Sequence, residues 1–350
     1  MPSSHVDRLL VAAASAALLA GCGALQQLPP SNAAATGSSS VSMARQRPDA
    51  RGVSRIAKGL TNQDLLYVSN GNGTVSVYSY SDGTIVGVLT KFKQPQGMCS
   101  DRSGNAYIAD YKARKVYEYA HGGTKPILVL NDPAYHPYAC SINPRNGDVA
   151  VANATQSYDT PGSIRVYSPG SNKTVTYTAT FDDHFIGCAY DDHGDLFVVS
   201  DSYYYTYESG SFFVFYYLPK AATQLIKLDV PNPHYYSGWE YQDVQAVAWD
   251  GRHWIVESYE YLDRYDINVD VTYVGDTVLN STYRYQGPIA VYRATRKAKA
   301  TQVVAASSSF SGKSAVDYWA YPAGGYPTQT ITQDLDNPFG VAISLGSSRP

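Results

Sequence analysis

The chain has 350 residues, of which 44% are hydrophobic, only 16% are charged and 32 are tyrosine. Such a composition excludes a largely disordered chain, and its Tyr, Val, Thr, Ser and Gly bias excludes a helix bundle. A net charge of −3 with a pI near 6.1 offers no global field for nucleic acid, so no nucleic-acid partner is expected.

The first element is a twelve-residue uncharged run, Leu9 to Ala20, that follows Arg8. It is too short to span a membrane, which takes about 20 apolar residues, and suits a signal-peptide core. The run ends in Leu19-Ala20-Gly21-Cys22, which resembles the lipobox of bacterial lipoproteins. The resemblance implies that residues 1–21 are removed and that Cys22 is acylated on its sulfur. The membrane is then a partner through this lipid anchor, and the location is the bacterial cell envelope. Gly23 rather than Asp after the cysteine implies the outer membrane if the cell is didermal. The alternative is an ordinary secretory peptide with an incidental cysteine. Residues 22–60 are rich in Pro, Ser, Ala, Gln and Arg without hydrophobic period, which predicts a flexible linker. Its cations Arg45, Arg47, Arg51, Arg55 and Lys58 oppose only Asp49. They either meet anionic headgroups or leave the segment a solvated tether.

From residue 61 to 350 the sequence repeats itself. Pro95-Gln96-Gly97-Met98-Cys99-Ser100-Asp101 leads into Gly104-Asn105-Ala106-Tyr107-Ile108-Ala109-Asp110, then Lys115-Val116-Tyr117-Glu118-Tyr119, then Pro126-Ile127-Leu128-Val129-Leu130. These are four β-rich runs separated by turn residues. Copies recur from Tyr138, Gly187, Ala246 and Pro288, and successive copies begin 42 to 59 residues apart. The last run, Phe339 to Ser344, has nothing after it, while Leu66–Ser69, Thr74–Tyr78 and Ile85–Leu89 lack an innermost strand. Together they make a sixth unit. The prediction is an all-β, six-bladed β-propeller closed by N- and C-terminal strands.

The cadence Pro-x-Gly-φ-x-φ-Asp, Gly-Asn-x-Tyr-φ-Ala-Asp and Val-x-Val-Tyr, with φ apolar, resembles NHL-type six-bladed propellers. Such propellers include binding scaffolds, lactonases and lyases, so the motif implies a fold more than an activity. Two readings follow. One is a binding or scaffolding module that acts through its loop face. The other is a hydrolase or lyase, lactonase-like, with a polar or metal site at the channel mouth.

For the enzyme, aligned copies place Gln94, His136, His184, Asp243, Tyr285 and Asn337 around one mouth. His136, His184 and Asp243 could hold a divalent metal or act as acid and base; otherwise no cofactor is implied. Lactonase propellers carry channel carboxylates on innermost strands, and Met98, Cys99, Cys140, Cys188, Val247, Ile289 and Val341 stand there instead. For the binder, Tyr203, Tyr204, Tyr205, Tyr235, Tyr236 and Trp239 lie in the longest loops. They either contact a protein, peptide or carbohydrate ligand or pack on one another. Cys99, Cys140 and Cys188 read as small residues packing near the channel. Neighbouring innermost strands are expected to lie too far apart for a disulfide.

Overall fold

The computed structural model describes residues 52–154, 161–171, 173–178, 183–202, 213–231, 233, 244–258, 260–268, 270–281, 285–295, 298–308 and 313–347. Among these there are 25 strands and no helix. Blade 1 contains β1 (Arg55–Ile56), β2 (Leu65–Asn70), β3 (Val75–Ser79) and β4 (Ile85–Leu89). Blade 2 contains β5 (Pro95–Ser100), β6 (Ala106–Asp110), β7 (Lys115–Tyr119) and β8 (Pro126–Asn131). Blade 3 follows with β9 (His136–Ile142), β10 (Val149–Ala154), β11 (Ser163–Tyr167) and β12 (Thr174–Thr178). Blade 4 holds β13 (Asp183–Tyr190), β14 (Leu196–Ser202), β15 (Phe213–Leu218) and β16 (Ile226–Leu228). Blade 5 holds β17 (Val244–Trp249), β18 (Trp254–Ser258), β19 (Tyr261–Ile267) and β20 (Val271–Gly275). Blade 6 holds β21 (Tyr285–Tyr292), β22 (Gln302–Ser308), β23 (Ser314–Ala320) and β24 (Gln329–Ile331). The last strand, β25 (Pro338–Ser344), returns to blade 1, whose order is β1-β4-β3-β2-β25.

The expected closure by both termini is therefore present. Each innermost strand packs on its neighbour, from β25 through β5, β9, β13, β17 and β21 back to β25. One difference is that β1 falls inside the segment expected to be linker. It pairs with the outer edge of β4, Arg55 opposite Val88 and Ile56 opposite Gly87. Only glycine fits at position 87, because a Cβ there would stand 2.6 Å from the Arg55 carbonyl.

Six apolar clusters fill the six gaps between blades. Alternation along each strand sends one set of side chains to the preceding blade and the other to the following blade. That is why the strands read as continuous apolar runs: both faces are covered. The same geometry explains the tyrosines. Tyr67, Tyr78, Tyr265 and Tyr318 are fully buried between blades, and most of their hydroxyls reach a polar group at the rim. Tyr78 donates to the Gln333 carbonyl at 2.6 Å and Tyr265 to Pro231 at 2.8 Å, while Tyr67 accepts from the Gly122 N–H at 3.0 Å. Burial pushes the Tyr67 hydroxyl up to about 12. The Tyr318 hydroxyl is buried with no hydrogen-bond partner among the described residues.

This contrast gives a paired prediction. Tyr78→Phe orphans a carbonyl and should cost about 1–2 kcal/mol, whereas Tyr318→Phe removes an unsatisfied hydroxyl and should be neutral or mildly stabilising. Urea midpoints of the two variants measure the difference. Equal losses would refute the account.

The motif residues turn out to be fold residues. Every innermost strand carries a register shift near its start where it pairs with the second strand. Beside it, adjacent innermost strands touch through backbone. A Cβ on Gly97 would lie 2.7 Å from the Tyr138 carbonyl, and one on Gly340 2.7 Å from that of Gln96. The second strands end in buried polar side chains that fasten the incoming loops. Asp110 accepts the N–H groups of Lys93, Gln94 and Ala113 at 2.8, 2.9 and 3.1 Å. Asn70 accepts that of Asp336 at 3.0 Å.

The close approach also overturns the expectation for the cysteines. Cys99 and Cys140 form a disulfide between blades 2 and 3, with Cα atoms 5.6 Å apart. Cys188 is free and buried. Cys99 belongs to the cluster between blades 2 and 3 from one side and Cys140 from the other, so their side chains converge.

Candidate functional site

The channel has an upper mouth, where the innermost strands begin, and a lower mouth, where they end. At the lower mouth four of the innermost strands, β5, β9, β13 and β17, run into a tight turn built around a carboxylate or amide. Asp101 accepts the N–H groups of Ser103 and Asn105 at 2.8 Å each. Asp191 accepts those of His193 and Asp195 at 2.8 and 2.9 Å, and Asp250 those of Arg252 and His253 at 2.7 and 2.6 Å. Asn143 serves the same role for Arg145 at 2.9 Å. Glycine closes each turn with positive φ, from +79° at Gly104 and Gly147 to +95° at Gly251. Burial holds Asp191 above the ordinary carboxylate range, against the pull of its two N–H donors. These repeated acids cap turns.

The residues that flank them differ from blade to blade and line a recess of about 340 Å³ in the lower channel. Its wall includes Tyr190, Trp249 and Tyr292 from blades 4, 5 and 6, with Arg102 on the far side. Asp192 anchors the rim. It accepts two hydrogen bonds from Arg293, at 2.7 and 3.2 Å, and one from the Trp249 indole at 3.1 Å. Its carbonyl accepts from Arg145 at 3.1 Å. One residue thus ties blades 3, 4, 5 and 6 together. The Arg293 guanidinium rests on Gly251, where a Cβ would come within 2.9 Å, and its Nε donates to Ala298 at 2.9 Å. A bidentate pair of this kind is pre-organised. Of the adjoining rings, Tyr292 stacks on Tyr80 at 4.7 Å and Trp249 lies 5.0 Å from Trp254, so each gives the recess only the part of its surface that its neighbour leaves uncovered.

At the upper mouth the expected ring is only partly described. His136 opens β9 and is 6% exposed. Its Nδ1 donates to the Tyr111 carbonyl at 3.0 Å, and its ring lies 4.5 Å from that of Tyr111. His184 stands at the start of β13, half-buried, opposite Asp201 in register. Asn337 is exposed, with its N–H donating to Ser314 at 3.2 Å. Asp243 lies outside the described residues, as do Tyr203, Tyr204, Tyr205, Tyr235, Tyr236, Trp239 and Cys22. Among the described residues, no three His, Cys, Asp or Glu side chains are arranged to hold a metal ion. Sequence reading overlooked Glu257, fully buried in β18, where the corresponding positions of the other blades hold Ser69, Ala109, Ala152, Val199 and Ala306.

No protein-family model matches the chain, and no curated protein matches it in sequence. Solved structures do match. The chain is similar to the nidogen/laminin complex at 12% identity, covering 81% of this chain and 99% of that one with a TM-score of 0.57. It is similar to a protein of unknown function from Bacteroides caccae at 10% identity, with 81% and 99% coverage and a TM-score of 0.58. The Swd1 β-propeller domain of Myceliophteria thermophila matches at 12% identity, with 87% and 92% coverage and a TM-score of 0.50. Six radial sheets closed by β25 decide the architecture. The chain is a six-bladed β-propeller. Identities this low speak for the fold alone, so function in this propeller must be argued from its own residues.

The lower recess was invisible in the repeat because its distinctive residues, Asp192, Trp249 and Arg293, occupy positions where the copies disagree. The one signal was the doublet Asp191-Asp192, in which the first acid is consumed by the turn and the second is left to face the channel.

Proposed function

We propose that the chain is a non-catalytic binding propeller of NHL-like type, exported and held in the cell envelope by a lipid on Cys22. The observation that carries this reading is the lower recess. It is walled by Tyr190, Trp249 and Tyr292 and edged by the fixed Asp192–Arg293 pair, on a scaffold whose repeated acids are already engaged in turns. Such a recess offers stacking faces and bidentate polar groups to a sugar ring or to a side chain of a protein or peptide partner. The Cys99–Cys140 disulfide supports export, since such bonds persist in oxidising compartments. The Tyr-rich upper loops are a second contact face of the same module.

The test is a binding screen of the purified protein against cell-envelope oligosaccharides and peptides, read by tryptophan fluorescence and calorimetry. Trp249→Ala should weaken a bound ligand at least about tenfold, as the loss of one well-stacked aromatic contact does. A tightly bound divalent metal lost on combining His136→Ala with His184→Ala would overturn the reading in favour of a hydrolase or lyase. So would binding indifferent to Trp249→Ala and to Tyr204→Ala with Trp239→Ala.

A further inference from the structure

Among the described residues, the charges of the upper face are unevenly placed. The loop between β4 and β5 carries Lys91 and Lys93, and the loop between β6 and β7 carries Lys112 and Arg114, with Lys115 directly after. Lys91, Lys93, Lys112 and Arg114 are all exposed. Their backbones are locked together. Asp110 sits fully buried beneath them and accepts N–H groups from both loops, and the Tyr111 N–H donates to the Gln94 carbonyl at 3.0 Å. The nearby acid Asp132 is fully buried and engaged by Arg165 and Asn153 at 2.9 and 3.0 Å. Five cations therefore share one corner, while Asp334 and Asp336 stand across blade 1.

A second observation places the chain's own N-terminal segment at that corner. Thr90, the residue before Lys91, donates through Oγ1 to the Gly52 carbonyl at 2.7 Å and through its N–H to Ser54 Oγ at 3.0 Å. Because β1 runs antiparallel to β4, residues 52–54 lie at the upper face beside Thr90, which directly precedes Lys91. The preceding sequence adds Arg45, Arg47 and Arg51 against Asp49. The first described residues and the cation cluster thus share one corner.

We infer that this corner, Lys91, Lys93, Lys112, Arg114 and Lys115, docks on anionic phospholipid headgroups and sets which face of the propeller meets the bilayer. The inference deepens the anchoring proposed above: the lipid on Cys22 supplies attachment and the corner supplies orientation. It leaves the lower recess turned away from the membrane and open to ligand. Lysines near an anionic surface each contribute a modest attraction that adds across the cluster and is screened by salt.

The test uses the unacylated chain from residue 22 with Cys22→Ser, so that binding is independent of the anchor. Co-sedimentation with phosphatidylcholine vesicles, with and without phosphatidylglycerol, should show binding only to the mixed vesicles, fading as salt rises. Lys91→Gln, Lys93→Gln, Lys112→Gln and Lys115→Gln combined should weaken it by about 10²-fold. A control of equal charge change at exposed positions elsewhere, Lys173→Gln, Lys220→Gln, Lys227→Gln and Lys299→Gln, should change it less than about threefold. Equal losses in both sets would reduce the effect to net charge and overturn the proposal. So would binding of an acidic polypeptide through the same lysines with no vesicle binding. Labelling of Cys22 with fatty acid in cells is a separate readout. Its failure would remove the anchor without touching the vesicle result.

Discussion

Deleting residues 339–350 is expected to collapse the whole ring rather than fray one end. The lost strand β25 is the innermost member of blade 1 and pairs along the length of β2. It sends Val341 and Ile343 into the cluster with blade 6 and Ala342 into that with blade 2. Two buried aliphatic side chains alone are worth about 2 kcal/mol each. Polar ties go with them. Ser100 donates to the Ile343 carbonyl at 2.7 Å, Gly346 donates to Asp64 at 2.9 Å, and His121 bridges Ser344 and the Leu60 carbonyl at 2.6 and 3.1 Å. A loss of about 5 kcal/mol or more approaches the entire stability of an ordinary domain. The measurement is thermal unfolding by circular dichroism. A truncated protein that melts cooperatively near the full-length midpoint would contradict closure by the two termini.

The second large effect concerns the bond between blades 2 and 3. With a sequence separation of 41, the Cys99–Cys140 disulfide is expected to stabilise by about 4 kcal/mol through loop-closure entropy of the unfolded chain. Combining Cys99→Ser with Cys140→Ser should lower stability by about that amount, and reductant should do the same to the unmodified protein. Cys188 should take no part. Burial pushes its thiol up to about 12, which leaves almost no thiolate to attack a disulfide. Cys188→Ala should therefore leave the reductant-induced drop in urea midpoint unchanged. A drop that disappears in Cys188→Ala would mean that the pairing exchanges.

The blade architecture was legible because its determinants are local and repeated: the strand runs, the Asp-to-Gly turns and the split unit at the termini. The disulfide was legible too, though the reading went wrong. Cys99 sits one residue further from the glycine landmark than Cys140, and alternation makes that offset point the two side chains at each other. Cys188 shares the register of Cys140, but the residue it would need to meet is Ser141. The expectation set neighbouring innermost strands too far apart, whereas at Gly97 and Ala139 their backbones touch. The lower recess escaped for another reason. Aligned copies average away the residues that make one blade unlike the next, and Asp192, Trp249 and Arg293 converge only when three blades are curled into a ring.

The pairing of β1 with β4 has a mechanical consequence. Any force transmitted through residues before 52 arrives first at two residue pairs on the outermost edge of blade 1, backed by the hold of Thr90 on Gly52 and of Ala57 on Val86. A sideways pull breaks these bonds one after another, releasing about six residues and about 20 Å of slack. The tug reaches β2 only afterwards, and β2 is clasped on both sides by β3 and β25. The strand is a tear-away strip: it yields under tension, spares the closure beneath it and can zip back onto the edge when the tension ends.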